Sequence, residues 1–373
     1  LIGLCFAGTL VSMYLCFEMM TLCSVALVLH NLTKEAVAAG VKYLLYSIAG
    51  AMMGLLGIFF FSAASTSATF VPGGSLDPAA VAAQGGTLLW VLFITIVGFG
   101  TKAGMFPMHG WRPTAYPVAP APASAVLSGV ITKMGVLGML RVIYFAAGAS
   151  VLRGTWAQYA LMALSLLTLV MGSSLALKEK QFKKRLAYSS VSQLSYIIFG
   201  LSTLTEWGFA GAMLHILCHS LIKDTLFMCA GAVIHQTGEK NVDALRGVGK
   251  RMPVTMGCFF AASVELVGIP PFCGFVSKWY IARGALSLTG AVSWIGPAAL
   301  LLSAILTAGY LLTVGIRAFF PGEEALSPAV ENAREAGWRM TVPMLALSLL
   351  SLALGLFPGA LITAFTGLAA LIL

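Results

Sequence analysis

The chain has 373 residues, of which 59% are hydrophobic and only 9% charged, and its mean hydropathy is +0.93. Soluble domains average about 45–50% apolar and about 25% charged residues, so a cytosolic enzyme, a nucleic-acid binder and a disordered regulator are excluded together. The net charge of +9 is scattered over short gaps between apolar runs, which is the pattern of an integral, multi-pass membrane protein.

Taken in chain order, the runs long enough to cross ~30 Å of hydrocarbon as helices are 9–30, 37–62, 87–108, 124–147, 155–177, 186–202, 209–233, 254–286, 295–320 and 342–372. Residues 1–8 would close one more helix, so the chain reads as the remainder of a longer protein, with no signal peptide. Alternate gaps differ in charge. One set holds Lys34, Arg112, the cluster Lys178 to Arg185, Lys240 to Arg251, Arg334 and Arg339; the other holds Arg153 alone. The basic set is therefore expected in the cytoplasm. The expected fold is an all-α polytopic membrane protein of about ten spans.

Seven cysteines (Cys5, Cys16, Cys23, Cys218, Cys229, Cys258, Cys273) form no Cys-x-x-Cys pair. Their spacing gives no disulfide framework or metal knuckle, and they read as small apolar residues packed between helices.

Two runs are interrupted by glycine and proline beside a lysine: Gly98-Phe99-Gly100-Thr101-Lys102-Ala103-Gly104-Met105-Phe106-Pro107, and Gly268-Ile269-Pro270-Pro271 through Lys278. Freed backbone groups are tolerated at membrane depth only where they line protein or water, and paired interruptions in two halves point to a transport site. Lys102 and Lys278 lie 176 residues apart, close to the offset between Ser128/Thr132 and Ser303/Thr307. A pseudo-repeat is expected, with residues 1–150 as the first unit, 151–320 as the second, and 321–373 as a loop and a last helix.

Each charge at a helix centre costs ~2.5–3.5 kcal/mol by insertion scales, so Glu18, Lys102, Lys133, His215, His219, Lys223, Asp224, Glu265 and Lys278 each need a reason. Together they predict a polar axis through the bundle. Glu18 sits mid-span, too far from the run's end to snorkel at ~1.5 Å per residue; it needs a positive partner, for which Lys102 is the choice, or a proton and a carbonyl. His215, His219 and Lys223 recur every four residues on one helix face. Two histidines so spaced could ligate zinc, but position 216 is Ile where a metalloprotease helix has glutamate. A proton relay suits imidazole better, with a structural histidine ladder as the alternative. A buried amine that can exist with and without its proton makes a switch that needs no cofactor. Glu265 lies before the second break and is expected to approach Lys278 across the bend and tune it, as a further proton-translocation residue, much as Glu18 tunes Lys102; the alternative is a glutamate that faces lipid or water without consequence. No nucleotide loop, haem ligand set or iron–sulfur spacing occurs, so no cofactor and no metal are expected here, and electron transfer, if involved, belongs to another chain.

Phe17-Glu18-Met19, Lys102 followed by Phe106-Pro107-Met108-His109-Gly110-Trp111-Arg112-Pro113, and Thr132-Lys133-Met134-Gly135 resemble the antiporter-like membrane subunits of respiratory complex I, a family that includes membrane-bound hydrogenases and Mrp-type cation/proton antiporters. Lys183 to Gln193, His215 to Lys223, and Gly268 to Trp279 continue the resemblance. It implies two inverted five-helix repeats with two broken helices. It also implies proton-translocation roles for Glu18, Lys102, Lys133, His215, His219, Lys223 and Lys278. Glu265 and Asp224 depart from the family pattern, where small residues are usual. The function expected is that of a proton-translocating, non-redox subunit in an NADH-quinone oxidoreductase-like or hydrogenase-like translocase of a prokaryotic inner membrane. Its partners would be other membrane subunits and, indirectly, a redox module, with protons moved and sodium left open. The alternatives are an Mrp-type antiporter subunit and, more remotely, an intramembrane enzyme acting on a lipid-linked substrate.

Overall fold

Helices account for all the extended regular structure among the described residues, and only isolated bridges such as Thr9–Thr69 and Gln181–Asn241 tie loops together. The structure is a computed structural model that describes residues 1–322 and 326–373; Glu323, Glu324 and Ala325, in the expected cytoplasmic loop, lie outside the described residues. The helices are α1 (Leu10–Leu29), α2 (Lys34–Ala64), α3 (Pro78–Ala103), α4 (Arg112–Val118), α5 (Ala121–Ala147), α6 (Trp156–Lys178) and α7 (Phe182–Ser202). They continue with α8 (Glu206–Thr237), α9 (Pro253–Val267), α10 (Cys273–Leu286), α11 (Val292–Phe319), α12 (Trp338–Leu356) and α13 (Gly359–Ile372).

Among the described residues, α1, α2, α3, α5, α6, α8, α11 and α12 are each long and apolar enough to cross a bilayer. With 21 residues, α7 is also long enough. It is rich in serine, and from Arg185 to Ser202 nearly every residue is buried against neighbouring helices, so it meets little lipid and can carry hydroxyls. α8 is the hub. Its 32 residues extend about 48 Å, and it packs on α5, α7, α9, α10, α12 and α13.

Two expectations change in detail. Run 342–372 is two helices rather than one, because Pro358 lacks an N–H and disfavours helix before it. α12 alone is about 28 Å long, enough to span, while the 14 residues of α13 reach only about 21 Å. The cysteines also divide: Cys218, Cys229, Cys258 and Cys273 are buried as expected, but Cys5 and Cys23 face outward.

Candidate functional site

The first break begins where α3 ends. Gly104 takes a left-handed conformation (φ 71°) that a side chain would strain, and a Cβ there would also lie 2.7 Å from the Arg112 side chain. The carbonyls released by the break find partners in the segment that follows. Trp111 Nε1 donates to Thr101 O at 2.9 Å and Arg112 Nη2 to Lys102 O at 3.5 Å. Both side chains are fully buried, so the sequence from Phe106 to Arg112 folds back as a plug that satisfies the end of α3.

Lys102, 1% exposed, projects from this last turn of α3. Its Nζ donates to Tyr43 Oη at 2.6 Å and to Ser47 Oγ at 2.8 Å, both on α2, and lies 4.1 Å from the centre of the Tyr43 ring. Glu18 acts on it electrostatically, yet among the described residues no ion pair joins the two. The expected direct contact is therefore replaced by two hydroxyls, and Glu18 Oε1 is buried without a hydrogen-bond partner.

Lys133 follows a π-helical turn, Leu127–Ile131, that interrupts α5. Such turns shift the backbone register and expose a carbonyl; here Lys133 Nζ donates to Ser128 O at 2.5 Å. Asp224 of α8 faces the same turn and interacts electrostatically with Lys133. Its Oδ1 has no hydrogen-bond partner among the described residues.

On α8, His215, His219 and Lys223 share one face as their spacing predicts, and all three are fully buried. The His215 and His219 rings stack with centroids 6.0 Å apart. His215 Nδ1 is 2.8 Å from Ser277 Oγ on α10, whereas both ring nitrogens of His219 are unpartnered among the described residues. Lys133, Lys223 and Arg112 all act on His219 electrostatically. Lys223 donates to Ser189 Oγ and to Leu186 O of α7.

The second break is built differently from the first. α9 ends on Gly268 (φ 94°), and the carbonyls left open at Leu266 and Val267 both accept from Lys278 Nζ, at 2.5 and 3.1 Å. Lys278 thus reaches back across the break from α10, whereas Lys102 precedes its own break. The Lys278 ammonium also lies 4.8 Å from the Tyr196 ring centre, and that ring is 5.7 Å from His215. Glu265 does not turn toward Lys278. It is 1% exposed and accepts from Ser351 Oγ of α12 at 2.6 Å, leaving Oε1 unpartnered. The physical reason is position: the last turn of α9 packs on α12, and the carbonyls of the break already hold the Lys278 amine.

Sequence reasoning singled out the ionisable groups but not what holds them. Tyr43, Ser47, Ser189, Tyr196 and Ser277 are the neutral partners of Lys102, Lys223, Lys278 and His215. A signal existed for two of them, since Tyr43 and Ser47 stand four residues apart in a largely apolar run and so share a face.

A family model described as the transmembrane region of NADH:quinone oxidoreductase and Mrp antiporter proteins matches residues 7–307. The NADH-quinone oxidoreductase subunit N of Desulforudis audaxviator is 34% identical over 367 residues, which covers 96% of this chain and 72% of that protein. Hydrogenase-4 component B of Escherichia coli is 32% identical over 360 residues, and there the chain spans 52% of its relative. The fold is similar to a chain in the structure of the Mrp complex from Dietzia sp. DQ12-45-1b, with a TM-score of 0.86 at 23% identity, covering 99% of this chain and 75% of that one.

Proposed function

The chain belongs to the NADH:quinone oxidoreductase/Mrp antiporter transmembrane family, and from that premise we propose that it moves protons as the non-redox subunit of a redox-driven complex of complex I or energy-converting hydrogenase type. Protons pass among Glu18, Lys102, Lys133, His219, Lys223, His215 and Lys278, with Asp224 as a carboxylate that can approach Lys133. Residues 1–150 carry the first part of the path, residues 151–320 the second, and residues 321–373 close the bundle against α8. The redox chemistry that drives the cycle takes place on partner subunits.

One observation carries this reading. The buried amines are held by neutral groups rather than by carboxylates: Lys102 by two hydroxyls, Lys133 by a carbonyl, Lys223 by a hydroxyl and a carbonyl, and Lys278 by two carbonyls. A buried ion pair locks both charges, because losing either strands the other. An ammonium held by hydroxyls and carbonyls can release its proton without stranding an opposite charge. Approach of Glu18 or Asp224 would favour the charged amine again, by ~4 kcal/mol for charges ~4 Å apart at an effective dielectric of 20. That is enough to move a proton equilibrium by several orders of magnitude. His219, with two open nitrogens between lysines, suits a group that accepts on one side and donates on the other.

A second reading, as a subunit of an Mrp-type cation/proton antiporter, is supported by the scope of the family itself. The two are separated by isolating the native complex, identifying its subunits by mass spectrometry, and reconstituting it in vesicles. Redox subunits in the complex, with proton uptake driven by electron transfer, are the expected result. A complex of membrane subunits alone, with proton uptake driven by a sodium or potassium gradient, would establish the second reading instead.

A further inference from the structure

A cavity of about 680 Å³ opens at the end of the bundle where the basic gaps converge, between α2, α4, the start of α7 and the end of α8. Lys42, Lys183, Lys184 and Lys240 line it, and Glu35 is the acid among its lining residues. Two of these cations are already engaged: Lys184 Nζ pairs with Glu179 Oε2 at 2.8 Å, and Lys183 Nζ donates to Ala119 O at 2.8 Å. Lys42 and Lys240 have neither a hydrogen bond nor an ion pair from their ammonium groups among the described residues.

The neighbouring charges oppose one another. Lys240 adds its field to that of Lys183. The first turn of α7 repeats the imbalance, with Lys183 and Lys184 and no acidic residue or side-chain cap where the helix dipole favours negative charge. Like charges gathered around one void are unfavourable until an anion enters. Asn31, Thr33, Thr114 and Gln181 add polar groups to the wall and Val118, Phe182 and Ile234 apolar ones, while Val41 and Leu45, near Lys42 on α2 but outside the lining, are exposed. The opening therefore has a charged rim at the interface and an apolar flank along the hydrocarbon. A volume in the range of about 300–1,000 Å³ is usual for ligand sites.

We propose that this cavity binds the phosphodiester headgroup of an anionic phospholipid from the leaflet on its basic face, with Lys42 and Lys240 as the principal cations. Basic pockets between membrane helices recognise lipid phosphates in this way. The apolar flank selects a lipid over free phosphate, because only a lipid brings acyl chains to cover it. The site lies apart from the buried lysines and histidines, so it stands or falls independently of the proton path.

The test uses the full-length protein in its native complex, placed in phosphatidylcholine nanodiscs with or without phosphatidylglycerol, with retained lipids counted by native mass spectrometry. Wild type should retain phosphatidylglycerol in preference to phosphatidylcholine. The Lys42→Gln/Lys240→Gln double variant should weaken that retention by roughly 30-fold, as two interfacial cations contribute. Equal retention of the two lipids, or unchanged retention in the double variant, would overturn the proposal. A parallel titration with inorganic phosphate in pure phosphatidylcholine distinguishes the source. Lysine-dependent phosphate binding without any preference for phosphatidylglycerol would replace the lipid with a soluble anion.

Discussion

The carboxylate of Asp224 on α8 lies directly against Gly129 in the π-helical turn of α5; a Cβ at position 129 would sit 1.9 Å from Asp224 Oδ1 and 2.5 Å from its Cγ. The turn and the missing side chain together make room for a charge between two helices. Gly129→Ala should therefore displace Asp224 and destabilise the protein by about 1–3 kcal/mol, as overpacking in a tight interior does. Adding Asp224→Ala removes the clash, so the double variant should regain most of the lost thermal stability while proton uptake stays low. Thermal melts of the three variants form a double-mutant cycle. Strictly additive losses would show that the two residues do not meet.

Tyr43 supplies the shortest hydrogen bond to Lys102 and also lies 2.5 Å from Ser24 Oγ. Tyr43→Phe keeps the ring, and with it the packing against Trp111, but removes the oxygen. Leaving buried polar groups short of a partner costs about 1–3 kcal/mol. If that cost falls on the charged form of Lys102, proton uptake by the complex in vesicles should drop about tenfold or more. An unchanged rate with normal assembly would remove the Tyr43 hydroxyl from the path.

Glu265 is held by Ser351, which makes it a link between α9 and α12 rather than a partner of Lys278. Ser351→Ala should lower the melting temperature through the same kind of unmet buried group, and Glu265→Gln should leave the pH profile of proton uptake at the wild-type position. A displaced profile in Glu265→Gln would return this carboxylate to the path.

The ionisable groups were legible in the sequence because a charge in an apolar run is costly enough to need a reason. The position of both helix breaks was legible from Gly104 and Gly268 with the prolines that follow them. What could not be read was the direction of each side chain. Glu18 and Lys102 both needed compensation, and pairing them followed from charge alone, but hydroxyls of Tyr43 and Ser47 hold the amine and no rule of spacing links α2 to α3. The turn at Leu127–Ile131 is hidden for a similar reason, since a π turn leaves the apolar pattern of a buried helix unchanged. The split between α12 and α13 was signalled by Pro358, yet apolar residues on both sides made one long run of two helices.

In the proposed mechanism, buried lysines held by neutral groups carry protons across the membrane. This is tested most directly by redox-driven proton uptake in vesicles containing the intact complex, compared between wild type and the single variants Lys133→Ala and Lys278→Ala. Removing a buried charge lowers the cost of membrane insertion, so both variants should assemble at wild-type levels while proton uptake falls by an order of magnitude or more. Wild-type uptake in both fully assembled variants would exclude these lysines from proton transfer and leave them with a structural role.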